Sequence, residues 1–199
     1  MEDGLTLLVL AGGESERMGR SKAFLKVDGR EMIRYVIDRL TPLTSDLIIS
    51  CKAGRERLEG IYPGARIAVD KSERDGPLVG LMSSLPLVEN EYVGVVPCDS
   101  PKVRKELIVS LLNRARNNSA AIPRWPNGYI EPLVAVYRAE ELEKAVNSVW
   151  ERGEMKLSKV IERLEDVVFV PTDELKEVDK GLESFVNVNT PEDFEKHLL

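Results

Sequence analysis

The chain has 199 residues and a formal net charge of −6, and 43% of its residues are hydrophobic. This length suits a single domain, residues 1–199, with an ordinary hydrophobic content for a globular protein. The acidic balance gives no electrostatic support for nucleic-acid binding, and no apolar run is long enough to span a bilayer. We therefore expect neither a nucleic acid nor a membrane as a partner.

The two cysteines, Cys51 and Cys98, are far apart and do not have the spacing of metal ligands. Such a pair is typical of buried free thiols in a reducing compartment. The sequence shows no signal-peptide pattern at its start. We therefore expect a cytoplasmic protein.

The first elements alternate between strand and helix. The apolar run Leu5 to Ala11 predicts a parallel strand buried on both faces. Apolar residues from Met32 to Leu40 fall on one helical face, and Pro42 follows that helix. Short strands are predicted at 47–49, 66–69 and 92–96, and helices at 78–85 and around 107–112. Pro77 suits the first turn of the helix at 78–85.

The second half of the chain has a different pattern. Apolar segments at 120–122 and 133–137 flank Pro126-Asn127-Gly128, which predicts a strand pair around a turn. Helices are predicted at 139–150 and 155–164, strands at 167–170 and 185–188, and a final helix from Thr190. The alternation predicts a doubly wound α/β fold, a three-layer α/β/α sandwich with a mostly parallel, Rossmann-like sheet and a mixed or antiparallel edge.

The segment from Leu10 to Lys22 is the strongest functional signal. Gly12-Gly13 follows the first strand directly, which allows a tight turn and close approach of the backbone to a ligand. Backbone N–H groups in such a loop form an anion cradle, and cations follow at Arg17, Arg20 and Lys22. The segment matches neither the Walker pattern nor the dinucleotide fingerprint. The alternative is a solvated turn with surface charges.

Two aspartates end predicted strands. Asp99 follows the strand at 92–96, so its carboxylate is expected at the edge of the sheet where α/β proteins bind ligands. One carboxylate together with substrate phosphates is a usual way to hold Mg²⁺. The alternative for Asp99 is the N-cap of the next helix. Asp70 ends the strand at 66–69 in the same way, either as a ligand contact or as a turn residue.

Five segments together resemble the molybdenum cofactor guanylyltransferase (MobA) family of Rossmann-like nucleotidyltransferases. They are Leu10-Ala11-Gly12-Gly13 through Arg17-Met18-Gly19 to Lys22, Asp75-Gly76-Pro77-Leu78-Val79-Gly80, Val96-Pro97-Cys98-Asp99-Ser100-Pro101, Glu131 to Tyr137 and Phe185 to Asp193. The resemblance spans nearly the whole chain. Many sugar-phosphate and terpenoid nucleotidyltransferases share the first segment, so the segments around Asp99 and Asn187 are the more discriminating ones.

The resemblance implies a fold of the nucleotide-diphospho-sugar transferase type, with a nucleotide half at about 1–100 and an acceptor half at about 101–199. It implies Arg17, Lys22 and Asp99 as catalytic residues, Asp99 as the ligand of Mg²⁺, and Asn187 and Asn189 as acceptor-binding residues. The implied nucleotide-binding residues are Leu10, Ala11, Gly12, Gly13, Lys22, Ser50, Asp70, Gly76 and Asp99. The two asparagines lie two apart on a predicted strand and would face one side. Their alternative role is structural, with Asn189 as a helix cap.

The implied reaction transfers GMP from GTP to the phosphate of molybdopterin carrying molybdenum or tungsten, with release of pyrophosphate. Cofactor-insertion proteins or molybdoenzymes are the implied protein partners. The sequence departs from the family after the second strand, where Ser50-Cys51-Lys52 replaces the usual asparagine. This departure leaves open CTP as the donor, or a sugar or metabolite phosphate as the acceptor. A non-catalytic nucleotide-binding assembly protein is the alternative from another class.

Overall fold

A computed structural model describes residues 4–12, 14–15, 20–27, 29–188 and 193. The strands in chain order are β1 (Leu5–Leu10), β2 (Glu14–Ser15), β3 (Arg20–Ser21), β4 (Lys26–Val27), β5 (Arg30–Glu31), β6 (Leu47–Cys51), β7 (Arg66–Val69), β8 (Tyr92–Pro97), β9 (Ala120–Arg124), β10 (Ala135–Arg138) and β11 (Val167–Pro171). The α-helices are α1 (Met32–Leu40), α2 (Arg55–Ile61), α3 (Pro77–Ser84), α4 (Lys105–Ala115), α5 (Ala139–Glu151), α6 (Leu157–Ile161) and α7 (Thr172–Leu175). Short 3₁₀ helices cover Lys22–Phe24, Leu85–Leu87 and Glu183–Phe185.

A seven-stranded sheet with the order β11-β9-β10-β8-β1-β6-β7 forms the middle layer. Strands β8, β1, β6 and β7 are parallel to one another. Strand β10 runs antiparallel to both β8 and β9, and β11 is parallel to β9. The sheet is therefore mostly parallel with a mixed portion at one end, as the sequence predicted. Two small antiparallel pairs, β2–β3 and β4–β5, lie outside this sheet.

Two hydrophobic clusters cover the two faces of the sheet. Alternate residues of β1 belong to different clusters, with Leu7 and Val9 in one and Leu8 and Leu10 in the other. Helices α1 and α4 contribute to the first cluster, whereas α3, α5 and α6 contribute to the second. The fold is therefore the predicted three-layer sandwich. The continuous apolar run of β1 arises because both faces of a central parallel strand are buried.

Most of the predicted elements are confirmed, but one is wrong. The segment 185–188 is not a strand, because its first residue ends a 3₁₀ helix and residues 186–188 make no ladder with the sheet. Its Val188 N–H instead donates to the carbonyl of Asp99 over 2.8 Å. The strand that was expected to place Asn187 and Asn189 on one face is therefore absent at 186–188, and Asn189 lies outside the described residues.

Helix α2 was not predicted from the sequence. Four of its seven residues are charged, and Leu58 is its buried residue, so it carries almost no apolar periodicity. The predicted terminal helix from Thr190 falls almost wholly outside the described residues. Within the described part of the chain, no helix has the length and apolar character needed to cross a membrane.

Candidate active site

A cleft of about 370 Å³ opens at the edge of the sheet where β1, β6 and β8 end. In the main sheet, β1 lies between β6 and β8. Strand β6 is the next strand of this sheet along the chain, and β8 joins on the other side of β1. This reversal of strand order is a topological switch point, where open α/β sheets bind their ligands. The residues that line the cleft are Leu10, Gly12, Lys22, Ser50, Asp70, Gly76, Pro77, Gly80, Pro97, Cys98, Asp99, Tyr129, Glu131, Pro132, Leu133, Val134, Leu157, Phe185 and Asn187.

One side of the cleft is built by the ends of β1, β6 and β7. The Ser50 hydroxyl donates to Asp70 Oδ1 over 3.2 Å. A Cβ on Gly12 would lie 2.8 Å from Asp70 Oδ2, so any other residue at this position would force the Asp70 carboxylate or the backbone to shift. Burial raises the pKa of the Asp70 carboxyl, and hydrogen bonds from Ser83 and Ser50 oppose that rise. The Asp70 carboxylate is thus held in place against the first turn of the glycine-rich segment.

Helix α3 starts at the same wall of the cleft. Gly76 precedes it with φ +121° and ψ 169°, a conformation essentially restricted to glycine, and Pro77 occupies its first turn. A Cβ on Gly80 would lie 2.7 Å from Ser50 Oγ. This glycine therefore lets α3 pack closely on the end of β6. Gly76, Pro77 and Gly80 all line the cleft, so the start of α3 forms part of the same wall.

Lys22 and Asp99 form the charged centre of the cleft. Lys22 Nζ lies 3.7 Å from Asp99 Oδ2, and the two side chains are 23% and 20% exposed. Burial raises the pKa of the Asp99 carboxyl, and the Lys22 cation opposes that rise. Helix α4 begins at Lys105 with Arg104 as its N-cap, so Asp99 does not cap it. The capping alternative for Asp99 is therefore wrong, and its partly exposed carboxylate faces Lys22 in the cleft.

The segment after the 3₁₀ helix Glu183–Phe185 is fastened to the loop that carries Asp99. The Ser100 hydroxyl donates to Asn187 Oδ1 over 3.0 Å. Lys102 pairs with Glu183 over 2.7 Å, on the same loop. Asn187 is exposed and lines the cleft, so its amide N–H₂ is directed by the bond that its oxygen accepts.

The opposite side of the cleft comes from the connection between β9 and β10. Glu131 is half-buried, and its Oε1 accepts a hydrogen bond from Trp125 Nε1 over 2.7 Å. Burial raises the pKa of the Glu131 carboxyl, whereas the Trp125 bond lowers it. Tyr129 is a large apolar side chain that is 61% exposed beside Glu131. Neither residue was assigned a role from the sequence, which predicted only a strand pair around their turn.

The structure brings together most of the site residues that were predicted from the sequence. Those lining the cleft are Leu10, Gly12, Lys22, Ser50, Asp70, Gly76, Asp99 and Asn187. Ala11 is buried, with 1% of its surface exposed, and its N–H donates to the carbonyl of Ser50 over 2.8 Å. Gly13, Arg17 and Asn189 lie outside the described residues. Lys52, which follows the wall at Ser50, pairs with Asp75 over 2.6 Å.

A cleft at the switch point of a mostly parallel sheet, with a lysine–aspartate pair at its centre, places this protein among the open α/β proteins that bind ligands at this edge of the sheet. The chain matches the family model described as the MobA-like NTP transferase domain over residues 7–167. This match runs from β1 to the start of β11. The chain therefore belongs to the family of MobA-like NTP transferases, which are nucleotidyltransferases.

Individual relatives agree with this assignment over most of their length. A Natronomonas pharaonis protein named "Probable molybdenum cofactor guanylyltransferase" is 35% identical over 96% of this chain and 95% of its own. The molybdenum cofactor guanylyltransferase of Desulfosudis oleivorans is 33% identical over 98% of this chain and 94% of its own. Both relatives carry names from the family that the sequence motifs indicated.

Solved structures show the same fold. The crystal structure of molybdopterin-guanine dinucleotide biosynthesis protein A from Archaeoglobus fulgidus has a TM-score of 0.81 and 28% identity, and covers 96% of each chain. The 2-C-methyl-D-erythritol 4-phosphate cytidylyltransferase from Thermus thermophilus has a TM-score of 0.73 at 17% identity, with 96% of each chain covered. This second likeness concerns the fold alone.

Proposed function

We propose that this protein transfers GMP from GTP to the phosphate of molybdopterin carrying molybdenum or tungsten. The single observation that carries this proposal is the pairing of Lys22 with Asp99 in a cleft at the switch point of the sheet. The names of relatives at 33–35% identity supply the substrates. In the proposed reaction, an oxygen of the acceptor phosphate bonds to the α-phosphorus of GTP. The bond from that phosphorus to the β-phosphate bridging oxygen breaks, and pyrophosphate leaves.

The residues of the chain divide this work between them. Ser50, Asp70 and the backbone at Gly12 hold the nucleotide on one side of the cleft. Lys22 lies at the centre, where its ammonium neutralises charge on the phosphates and on the leaving pyrophosphate. Because the nucleophile is an ionised phosphate, the reaction needs no general base, and positioning with charge stabilisation is the main task.

The residues present fit a Mg²⁺ ion. Asp99 offers a partly exposed carboxylate in a cleft sized for phosphates. In the part of the chain that the structure describes, no group of three or more His, Cys, Asp or Glu side chains could hold a metal by itself. Mg²⁺ commonly uses one or two carboxylates together with substrate phosphates and water, so Asp99 is the residue that would hold it. When bound, the ion would neutralise negative charge on the phosphate oxygens.

CTP is the main alternative donor. The sequence Ser50-Cys51-Lys52 stands where the family commonly has an asparagine, and the Ser50 hydroxyl is engaged with Asp70. A cytidylyltransferase also shares the fold. The proposal for GTP rests on the guanylyltransferase names of the relatives, because the wall around Ser50 does not by itself select a base.

The test supplies the wild-type protein with Mg²⁺, molybdenum-loaded molybdopterin and each of the four NTPs, and measures pyrophosphate release. GTP is expected to give the fastest release, by about tenfold or more over CTP. Preference for CTP would replace the proposal with cytidylyl transfer. Tight GTP binding without pyrophosphate release, when metal and authentic acceptor are present, would favour the non-catalytic assembly protein.

A further inference from the structure

Glu131 lies on the side of the cleft opposite Ser50 and Asp70, which we propose hold the nucleotide. It belongs to the connection between β9 and β10, whereas Ser50 and Asp70 follow β6 and β7. Strands β8 and β1 separate these two halves of the sheet. Both halves open into the same cleft, with Lys22 and Asp99 between them. A ligand that reaches Glu131 therefore extends from the charged centre away from the nucleotide side.

The Glu131 carboxylate is held in a fixed position. Trp125 Nε1 donates to its Oε1 over 2.7 Å. The ring of Trp125 in turn meets Phe185 edge to face, with centroids 5.7 Å apart. The backbone of Glu131 is also fixed, since its N–H donates to the carbonyl of Pro123 and its carbonyl accepts from Val134. A carboxylate fixed in this way presents a preorganised acceptor to the cleft.

Charge complementarity decides what kind of group this acceptor suits. Both proposed substrates carry phosphates, and a carboxylate repels them. Glu131 is half-buried, and that burial makes its negative charge costly unless a donor compensates it. The complementary partner is an uncharged group that presents N–H donors side by side. A ring N–H next to an exocyclic amino group, as on a 2-aminopyrimidinone ring, is such a partner and can bond both carboxylate oxygens.

We propose that Glu131 binds the 2-aminopyrimidinone edge of the acceptor's pterin, and that Tyr129 stacks on the face of that pterin. The inference rests on the proposed function, since it takes molybdopterin as the acceptor. Guanine carries the same donor edge, but Glu131 lies on the half of the sheet away from Ser50 and Asp70. The assignment to the pterin follows from this position. Acceptor recognition thus extends beyond Asn187, to residues with a clear preference for a heterocycle.

Tyr129 has the exposure that stacking on a ligand requires. Its side chain is 61% exposed in a cleft-lining position, so its ring face is accessible to a flat heterocycle. Its backbone is fixed, because its N–H donates to Asn127 Oδ1 over 3.0 Å and its carbonyl accepts from Trp125. Trp125 therefore contacts both recognition residues, one through its side chain and the other through its backbone.

The test measures binding of 6-hydroxymethylpterin, which lacks the acceptor phosphate, so that binding is independent of turnover. The matched probe is 6-hydroxymethyllumazine, in which a carbonyl replaces the 2-amino group. The variants are Glu131→Gln, which keeps an acceptor for Trp125, and Tyr129→Ala. Glu165→Gln is the control, because Glu165 is exposed before β11, at the opposite edge of the sheet. GTP binding and thermal midpoint are measured for every variant.

Wild-type protein is expected to bind the pterin about tenfold or more tightly than the lumazine. Glu131→Gln should weaken pterin binding by about tenfold or more and remove most of this discrimination. Tyr129→Ala should weaken both heterocycles by about fivefold or more. GTP affinity and the thermal midpoint should stay at wild-type values in all variants, and the control should bind both heterocycles normally.

Equal binding of pterin and lumazine by the wild-type protein would overturn the inference. Absence of pterin binding at concentrations on the order of millimolar would do the same. If Glu131→Gln weakened GTP binding while leaving pterin binding unchanged, the donor edge would belong to the nucleotide instead. These outcomes are separate from the proposed function, because GTP-dependent pyrophosphate release with the authentic acceptor tests that function independently.

Discussion

Lys22 and Asp99 place a cation and a carboxylate together at the centre of the cleft of an acidic chain. The net charge of −6 disfavours approach of a triphosphate, so binding depends on local groups. Lys22 follows the glycine-rich segment and meets Asp99 from the end of β8, which places a cation and a carboxylate 3.7 Å apart. Opposite charges at this distance stabilise each other. In the proposed reaction, phosphates would become the partner of Lys22 and Mg²⁺ the partner of Asp99.

Replacing either member of this pair should cost most of the activity. We expect Lys22→Ala and Asp99→Ala each to lower the turnover number by roughly a hundredfold or more, because each removes a charge-stabilising group from the centre of the cleft. Steady-state pyrophosphate release checks this expectation. Lys180→Ala and Glu165→Ala serve as controls of matched charge change at exposed positions and should keep normal turnover. Near-normal turnover in both site variants would refute the assignment of the active site.

Glu31 forms hydrogen bonds with two arginines, and these should make the stability of the protein depend on pH in acid. It accepts from Arg57 over 3.0 Å and from Arg34 over 2.9 Å. The hydrogen bond from Arg57 is the main cause that lowers the pKa of Glu31 from 4.5 to about 2. Arg57 also lies over the ring of Phe24, 4.4 Å from its centroid, in the 3₁₀ helix that begins with Lys22. Through Arg57, Glu31 is therefore linked to Phe24 and to the 3₁₀ helix that begins with Lys22.

A lowered pKa in the folded state means that Glu31 stabilises the fold when it is ionised. This contribution should be fully present above about pH 4.5 and disappear as the pH falls towards about 2. Urea unfolding of the wild type and Glu31→Gln should therefore differ at pH 6 and converge as the pH is lowered below 4.5. A difference that stays constant across this range would show that the charge of Glu31 is not the cause.

At the scale of elements, the position of α3 on the sheet depends on one glycine. A Cβ on Gly80 would lie 2.7 Å from Ser50 Oγ and 3.0 Å from Leu10 Cδ2, and both of those residues line the cleft. Helix α3 therefore packs directly on the cleft wall that Leu10 and Ser50 form. Any side chain at this position forces the helix or the wall to move.

Gly80→Ala should destabilise the protein by about 1–3 kcal/mol, because interiors tolerate added methyl groups poorly. It should also weaken GTP binding, since the displaced Ser50 contacts Asp70. Chemical denaturation and calorimetric GTP titration measure the two effects. Gly60→Ala is the matched control, because Gly60 lies in α2, where an added methyl group would meet open space. It should stabilise by about 0.5–1 kcal/mol through helix propensity. Equal behaviour of the two variants would contradict the tight seating of α3.

The sequence predicts an element well where its buried residues recur at the spacing of a helix or strand. Helix α1 lies at Met32–Leu40 as predicted, because five of its nine residues face the core at helical spacing. The segment 185–188 was wrongly predicted as a strand, because Phe185 packs on the first hydrophobic cluster, Val188 packs with Met32, and the Val188 N–H bonds to the carbonyl of Asp99. An apolar pattern in the sequence indicates which residues are buried, but a loop held in place by a tertiary contact can show the same pattern as a strand.

At the scale of the whole molecule, the sequence could predict which residues line the cleft wherever those residues follow parallel strands. Asp70 follows β7 directly and Asp99 lies two residues after β8, so the parallel topology alone places both at one edge of the sheet. Glu131 and Tyr129 could not be assigned in this way. Their place in the cleft depends on β10 joining the sheet antiparallel to β8, which carries the β9–β10 connection to the carboxyl edge. Local sequence does not determine the neighbour that a strand chooses.

The sheet order also arranges the proposed reaction along one line. Ser50 and Asp70, proposed to hold the nucleotide, lie at β6 and β7. Lys22 and Asp99 lie near β1 and β8, and Glu131 follows β9. A donor and an acceptor that enter from opposite halves bring their phosphates together at Lys22 and Asp99. Holding two reactants in this way accounts for much of the barrier reduction in phosphoryl transfer.

The most direct test of the proposed reaction is the mass of the acceptor after incubation with the protein, Mg²⁺, GTP and molybdenum-loaded molybdopterin. Guanylyl transfer predicts that the acceptor gains one GMP unit, joined through a new phosphate–phosphate linkage, and that one equivalent of pyrophosphate is released. Recovery of the acceptor at its original mass, with GTP intact and the Lys22→Ala variant indistinguishable from the wild type, would contradict it.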